Sequence, residues 1–217
     1  MPVTIGFLHT SPVHVATFDS LVANAPGAVS GTHIVDEELL TMARSIGCAH
    51  PLVADGVAAA LARLVGEGAD VIVCTCSTIG AAAESVPGIG VPVLRVDRPM
   101  AAAAVAAGRR IAVVAALEST LAPTAELLQE ESARVGCAPM ITLRPCLAAW
   151  DRWEDGDLDG YHRAIAGHVN ALGESFHVVV LAQASMLGAL AFIDERPGRV
   201  VLASPSSAVQ AALAIVG

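Results

Sequence analysis

The ten residues Asp70-Val71-Ile72-Val73-Cys74-Thr75-Cys76-Ser77-Thr78-Ile79 align with His177-Val178-Val179-Val180-Leu181-Ala182-Gln183-Ala184-Ser185-Met186. In both stretches an apolar strand runs into a polar side chain, Cys76 or Gln183, with a hydroxyl two positions further on. Earlier in each half, Ile5-Gly6-Phe7-Leu8 aligns with Ile111-Ala112-Val113-Val114; Ile5 precedes Cys76 by 71 residues and Ile111 precedes Gln183 by 72. Two Val-rich strands match easily by chance, but the shared spacing makes duplication the better explanation. A duplicated chain is restricted to two similar lobes. If a pseudo-twofold axis relates them, Cys76 and Gln183 become equivalent positions at the carboxyl ends of parallel strands. Ligands bind there in open α/β sheets, so lobes that face each other would place the two residues across one cleft.

Short β-branched runs alternate with Ala-rich helical stretches throughout, the pattern of βα units and a largely parallel sheet. Strands are predicted near 3–8, 31–35, 70–74, 91–95, 110–115, 139–143, 177–182 and 199–203. Helices are predicted near 12–24, 36–46, 51–67, 78–85, 98–107, 120–135, 157–173, 185–191 and 205–215. Pro51 and Pro99 suit first helical turns, Gly136 closes the helix that begins near Thr120, and Pro205 opens the last one. The expected class is α/β, with two lobes each built on a mostly parallel sheet flanked by helices. The first lobe is 1–97, joined by a C-terminal helix 205–217, and the second is 98–204. The stretch from Pro145 to Asp159, with Trp150, Trp153 and six charged residues, is the least regular. It reads as a surface loop with a buried tryptophan anchor, or as a lid or interface.

Composition narrows the function classes. Of 217 residues, 54% are apolar and only 3% aromatic, so the core is filled by aliphatic side chains. The longest apolar stretches, Met100 to Ala107 and Ile111 to Leu117, fall short of the roughly 18 residues of a membrane span. The N-terminus enters a strand-like Val3-Thr4-Ile5-Gly6-Phe7-Leu8 without the marks of an export signal, so export is not expected. Five cysteines without framework spacing fit thiols kept reduced in a cytosol. A net charge of -9 and no lysine disfavour a nucleic-acid surface. Gly-rich phosphate loops are missing.

Cys76 follows a strand and precedes Ser77-Thr78 and a predicted helix. Its thiol is expected near helix N-terminal N–H groups, which favour the thiolate; a small buried apolar residue is the plainer alternative. Cys74, two residues earlier, reads as core. Thr10-Ser11, Ser77-Thr78 and Ser119-Thr120 stand at strand ends, where their hydroxyls and backbone N–H groups suit a carboxylate. Each pair alone is equally a plain N-cap. Cys74-x-Cys76 with Cys137, Cys146 or His50 fits no recurring zinc spacing. His14, His162, His168 and His177 read as surface residues.

A strand ending in Cys-Ser-Thr, an opening Ile-Gly-Phe-Leu-His-Thr-Ser-Pro, a Gly-Arg-Arg-Ile-Ala-Val-Val strand midway and a closing Ser-Pro-Ser-Ser-Ala-Val-Gln-Ala-Ala-Leu together resemble the aspartate/glutamate racemase superfamily. That superfamily includes glutamate, aspartate and hydantoin racemases, maleate isomerase and arylmalonate decarboxylase, and the similarity covers nearly the whole chain. It implies an enzyme working beside a substrate carboxylate, without pyridoxal phosphate or metal. In the racemases one cysteine from each lobe approaches opposite faces of the α-carbon. Cys76-Ser77-Thr78 matches the first cysteine motif; at the second, Leu181-Ala182-Gln183-Ala184 carries Gln183 instead of cysteine. By the same resemblance Thr10, Ser11, Ser77, Thr78, Ser119, Thr120 and Ser185 match or adjoin carboxylate-holding positions. Homodimers are common in the superfamily, which leaves self-association open.

Two-base racemisation needs one group to remove a proton and another to deliver one. An amide does neither; Gln183 orients a substrate or stabilises enolate charge by hydrogen bonding. Three schemes remain open. Cys76 acts alone in one-sided chemistry such as decarboxylation or stereospecific isomerisation. Cys76 adds to an unsaturated diacid and permits bond rotation. Or His9, Asp36, Glu37, His50 or Glu118 replaces the missing base, with His9 the best placed at the end of the first strand and a hydrogen-bonded histidine at the floor of the site its alternative. A non-catalytic protein that binds a small carboxylate is the reading outside enzymology.

Overall fold

A computed structural model describes residues 2–217. Eight strands form: β1 (Val3–His9), β2 (Val29–Val35), β3 (Val71–Cys74), β4 (Val93–Arg95), β5 (Arg110–Ala115), β6 (Met140–Pro145), β7 (Val178–Leu181) and β8 (Val200–Ala203). Between and after them run α1 (Val13–Ala23), α2 (Glu37–Ile46), α3 (Pro51–Gly66), α4 (Gly80–Glu84), α5 (Arg98–Ala107), α6 (Glu118–Arg134), α7 (Trp150–Glu154), α8 (Leu158–Asn170) and α9 (Ser204–Val216). The strands make two four-stranded sheets, ordered β2-β1-β3-β4 and β6-β5-β7-β8, with every pair parallel. Two compact units result, one of residues up to Arg98 together with Pro205–Gly217, the other Pro99–Ser204. This is the expected α/β class of two similar lobes, and each expected strand is present.

The continuous apolar runs Val71–Cys74 and Val178–Leu181 are fully buried because helices cover both faces of each sheet. In the first unit Leu8, Ile72 and Cys74 pack with Val57, Leu61 and Leu64 of α3. On the opposite face Phe7 meets Phe18 of α1 at a ring separation of 4.9 Å. In the second unit Ile111, Val113 and Val180 pack against α5 and α6, while Val114, Val179 and Leu181 pack against Tyr161 and Ile165 of α8.

Strand register carries the internal repeat into three dimensions. Leu8 pairs with Cys74 and Val114 pairs with Leu181. One residue on, the N–H of Thr75 donates to the Leu8 carbonyl and the N–H of Ala182 to the Val114 carbonyl, both at 2.9 Å. Cys76 and Gln183 therefore stand two residues past the last rung of their respective ladders. Thr10 and Ala116 hold the same place on the neighbouring strands.

Helix ends follow local chemistry. Asp36 caps α2 by accepting from the Leu39 N–H, and His50 caps α3 through the Leu52 N–H ahead of Pro51. α6 stops at Gly136, whose φ of 66° lets Cys137 donate to the Ser132 carbonyl and Gly136 to that of Ala133. Three expectations change. The stretch after Cys76 turns through Ser77–Ile79 before the short α4, so no helix starts at Thr78. Residues 184–192 wind as a 3-10 helix, with Gly188 so close to His162 that a Cβ there would lie 2.4 Å from the ring. Residues 147–154 are helical rather than irregular, because Ala149 and both tryptophans pack onto the core around Tyr161.

Candidate active site

Among residues 71–80 Cys76 alone is partly exposed. Its neighbour Cys74 is fully buried, with burial raising its thiol pKa far above the ordinary value, and its Sγ–H points to the Cys76 carbonyl at 3.7 Å. Thr10 and Cys76 each lie two residues past the Leu8–Cys74 rung, at the carboxyl edge of the first sheet. Beyond β1 the backbone N–H groups of Thr10 and Ser11 meet no acceptor among the described residues. Thr10 and Thr78 likewise make no side-chain hydrogen bond, whereas Ser77 is engaged. Ser77, Thr78 and Thr10 are buried and Ser11 is partly exposed. A thiol and open N–H donors thus share one strand edge. The helix expected to activate the thiol is replaced by a turn and the five-residue α4, which starts four residues after Cys76.

His9 is fully buried and both ring nitrogens are engaged. Thr75 Oγ1 donates to the Leu8 carbonyl at 3.1 Å and is hydrogen-bonded to His9 Nδ1 at 2.8 Å. His9 Nε2 lies 2.8 Å from His33 Nδ1, and His33 Nε2 lies 3.0 Å from the Asp19 carboxylate. Thr75, His33 and Asp19 were not singled out from the sequence; the register that pairs Phe7 with His33, and so puts His9 and His33 on one sheet face, exists only in the fold. The string braces the strand ends beside Cys76, and His9 presents no free nitrogen to a ligand in this arrangement.

Burial, and then the nearby charges of His14 and His33, lower the His9 pKa from 6.5 to about 3. The unfolded chain takes up this proton between those pH values while the folded protein does not. Stability is therefore present above pH 6.5 and falls as pH drops toward 3, by about 1.4 kcal/mol per pH unit. His14, lowered by burial to about 4, acts in the same direction. Urea denaturation at pH 7.5 and 5.0 should show wild type losing about 2 kcal/mol more than His9→Gln. Equal losses would mean that His9 does not stay neutral in the fold.

On the other side of β3, Arg95 is 2% exposed and pairs bidentately with fully buried Asp97, Nε to Oδ1 at 2.8 Å and Nη2 to Oδ2 at 2.9 Å. Burial alone lowers the Arg95 pKa, but the Asp97 hydrogen bonds and charge raise it above its usual value. Glu84 of α4 accepts from the Arg95 N–H and from Arg98. Gly80 rests on the Arg95 side chain, where a Cβ would lie 3.0 Å from that of Arg95. The segment after Cys76 is held by this buried ion network.

In the second unit Gln183 is 8% exposed. Its Oε1 accepts from the N–H of Ala116 at 2.6 Å and of Leu117 at 3.0 Å, while its Nε2 has no partner among the described residues. Leu117 is the N-cap of α6, so the amide oxygen closes that helix start. In the first turn Ser119 Oγ is buried without a hydrogen-bond partner, and Thr120 is buried. Ser185 Oγ bonds to the Tyr161 hydroxyl at 2.8 Å, and the Trp153 ring packs against Tyr161 at 5.2 Å, tilted by 57°. Tyr161 and the Ala116 and Leu117 N–H groups escaped the sequence reading.

Of the other candidate bases, Asp36 and His50 serve as helix caps, and Glu37 and Glu118 are exposed first-turn residues. The four histidines expected on the surface are all partly buried; His162, for one, hydrogen-bonds the Ser185 carbonyl. All five cysteines are free. No group of three or more His, Cys, Asp or Glu suited to a metal occurs among the described residues, and no helix among them is long and apolar enough to cross a membrane.

No protein-family model and no curated protein matches the sequence. The fold is that of solved racemases and a decarboxylase. An aspartate racemase from Picrophilus torridus is 13% identical with a TM-score of 0.71, over 97% of this chain and 94% of that one. A glutamate racemase from Aquifex pyrophilus is 19% identical with a TM-score of 0.66, over 99% and 84%. Arylmalonate decarboxylase is 17% identical with a TM-score of 0.62, over 99% and 92%. The sequence resemblance to the aspartate/glutamate racemase superfamily thus has its counterpart in the fold.

Proposed function

We propose that this protein is an enzyme of the racemase/isomerase type that makes or breaks a bond at the carbon next to a carboxylate, with Cys76 as its acid/base. The observation that carries this reading is a partly exposed thiol at the same carboxyl sheet edge as the unengaged N–H groups of Thr10 and Ser11. Backbone N–H pairs bind a carboxylate and stabilise the negative charge that develops on it when the adjacent carbon becomes enolate-like. The thiolate removes the α-proton and the resulting thiol returns a proton to the same carbon: on the same face this is exchange alone, and inversion follows when the planar enolate turns its other face to Cys76 before it is reprotonated. The chain contains no lysine to form a Schiff base with pyridoxal phosphate, in keeping with cofactor-independent chemistry. A reducing compartment such as the cytosol suits the five free thiols.

The repeat counterpart of Cys76 favours a second, narrower reading. Gln183 is an amide that neither takes nor gives a proton, so the repeat supplies no second acid/base and the proton chemistry is assigned to Cys76 alone. Decarboxylation fits such a site: the C–C bond to the departing carboxylate breaks, carbon dioxide leaves, the electron pair stays on carbon as an enolate, and the Cys76 thiol supplies the proton. Solvent then reprotonates the thiolate.

Proton exchange in D2O, followed by NMR over amino acids, hydantoins, arylmalonates and maleate, tests both. Exchange or turnover that vanishes in Cys76→Ala supports the enzyme and names its substrate class. Binding without exchange or turnover for every compound would replace it with a non-catalytic carboxylate-binding protein.

A further inference from the structure

Arg196-Pro197-Gly198-Arg199 makes a tight turn ahead of β8. The Arg199 N–H donates to the Arg196 carbonyl at 3.1 Å, Pro197 fixes one central position and Gly198 takes a φ of 76° at the other. The turn delivers both arginine side chains to the end of α8. Arg196 donates to the carbonyls of Leu172, at 3.0 Å, and Asn170. Arg199 donates to those of Val169, at 3.5 Å, Leu172, at 3.1 Å, and Gly173. Carbonyls at a helix end suit cations, but a helix C-terminus carries only roughly half a negative charge, against two guanidinium groups. Neither arginine forms an ion pair among the described residues. Glu174, Asp194 and Glu195, the acids of this region, are exposed. Arg95, whose charge Asp97 matches, shows the contrast.

Both arginines line a cavity of about 660 Å³ whose other walls include Leu190, Ile193, Val200 and Val201, and a second of about 500 Å³ that reaches Phe176. The larger lies within the roughly 300–1,000 Å³ of small-molecule sites. Arg199 Nε is buried without a hydrogen-bond partner, and a buried donor calls for an acceptor. Burial, and then the charge of Arg196, lower the Arg199 pKa, with Glu174 acting in the opposite sense. We infer that this cavity binds a small organic anion, its carboxylate or phosphate head held by Arg196 and Arg199 and its apolar body against Leu190, Ile193, Val200 and Val201. Guanidinium forks match both head groups. Every lining residue belongs to the second unit, and Val200 begins β8, at the opposite end of the sheet from Gln183. The site is therefore separate from the carboxylate site proposed beside β1, and either stands without the other.

Calorimetric titration with hexanoate, hexyl phosphate and hexan-1-ol, paired with amide hydrogen exchange read by mass spectrometry, tests it. At least one of the anions should bind about tenfold or more tightly than the alcohol and slow exchange in residues 190–201; the tighter anion names the head group. Arg199→Gln should weaken that binding by about tenfold. Because Arg199 also caps α8, a second variant leaves both arginines on the helix. Val200→Glu, at a position 44% exposed on the cavity wall, supplies a competing carboxylate and should abolish the protection. The inference is overturned if hexan-1-ol binds as tightly as both anions, if protection at 190–201 is unchanged in both variants, or if the anions bind without protecting 190–201, as capture at the N–H groups of Thr10 and Ser11 would have it.

Discussion

Alanine at position 76 should lower α-proton exchange or turnover by about 10²–10⁴-fold, the range associated with a positioned general acid or base, while carboxylate binding survives. The separation follows from where the two tasks reside. Carboxylate recognition is assigned to the backbone N–H groups of Thr10 and Ser11, which no side-chain replacement at 76 removes. Proton transfer is assigned to the thiol alone, since His9 has both nitrogens engaged and Gln183 has no titratable group. Cys76 is partly exposed at the margin of the aliphatic cluster around Leu61 and Ile79, so loss of its sulfur should cost about 1 kcal/mol of stability or less. A large rate effect in a normally folded variant is then chemical. Serine should rescue little, because a hydroxyl is a far weaker acid than a thiol. Iodoacetamide labelling gives a companion readout: Cys76 should react and be protected by ligand, whereas buried Cys74 stays unmodified. Undiminished turnover in Cys76→Ala would reduce Cys76 to a packing residue.

The parts of this molecule legible in its sequence are those with a local signature. β-branched runs such as Val178–Leu181 announce buried parallel strands, and the spacing from Ile5 to Cys76 and from Ile111 to Gln183 survives as equal positions past the last ladder rung. Helix stops at Gly136 and starts at Pro51 were equally readable. What escaped depends on partners distant in sequence or on the main chain. His9 meets Thr75 and His33 from 66 and 24 residues away, so nothing near position 9 reveals that its ring is fully engaged. Gln183 bonds to N–H groups that every non-proline residue possesses, which leaves no trace in composition. Trp150–Glu154 was hidden for another reason. Its charged residues face solvent, and its helix is short enough to depend on tertiary contacts with Tyr161 rather than on its own pattern.

Asp97→Ala should be the most damaging single substitution in the first unit, costing about 3–5 kcal/mol in chemical denaturation. Arg95 is 2% exposed and Asp97 fully buried, so removal of the carboxylate leaves a guanidinium that cannot reach bulk water. The cost lies in the stranded charge rather than in the intrinsic worth of the pair. Replacing both partners at once, Arg95→Met with Asp97→Leu, should therefore recover most of the loss. A double variant as unstable as Asp97→Ala would show that other contacts of Arg95 dominate. The consequence for the site follows from Gly80, whose backbone lies against the Arg95 side chain, and from Glu84, which accepts the Arg95 N–H. These two residues bound α4, and α4 with the preceding turn fixes the chain that leaves Cys76. A packed aliphatic pair in place of the ion pair keeps the main-chain N–H that Glu84 accepts but removes the guanidinium nitrogen against which Gly80 lies. Exchange at the substrate carbon should accordingly stay depressed in the double variant even where its denaturation midpoint returns to that of wild type.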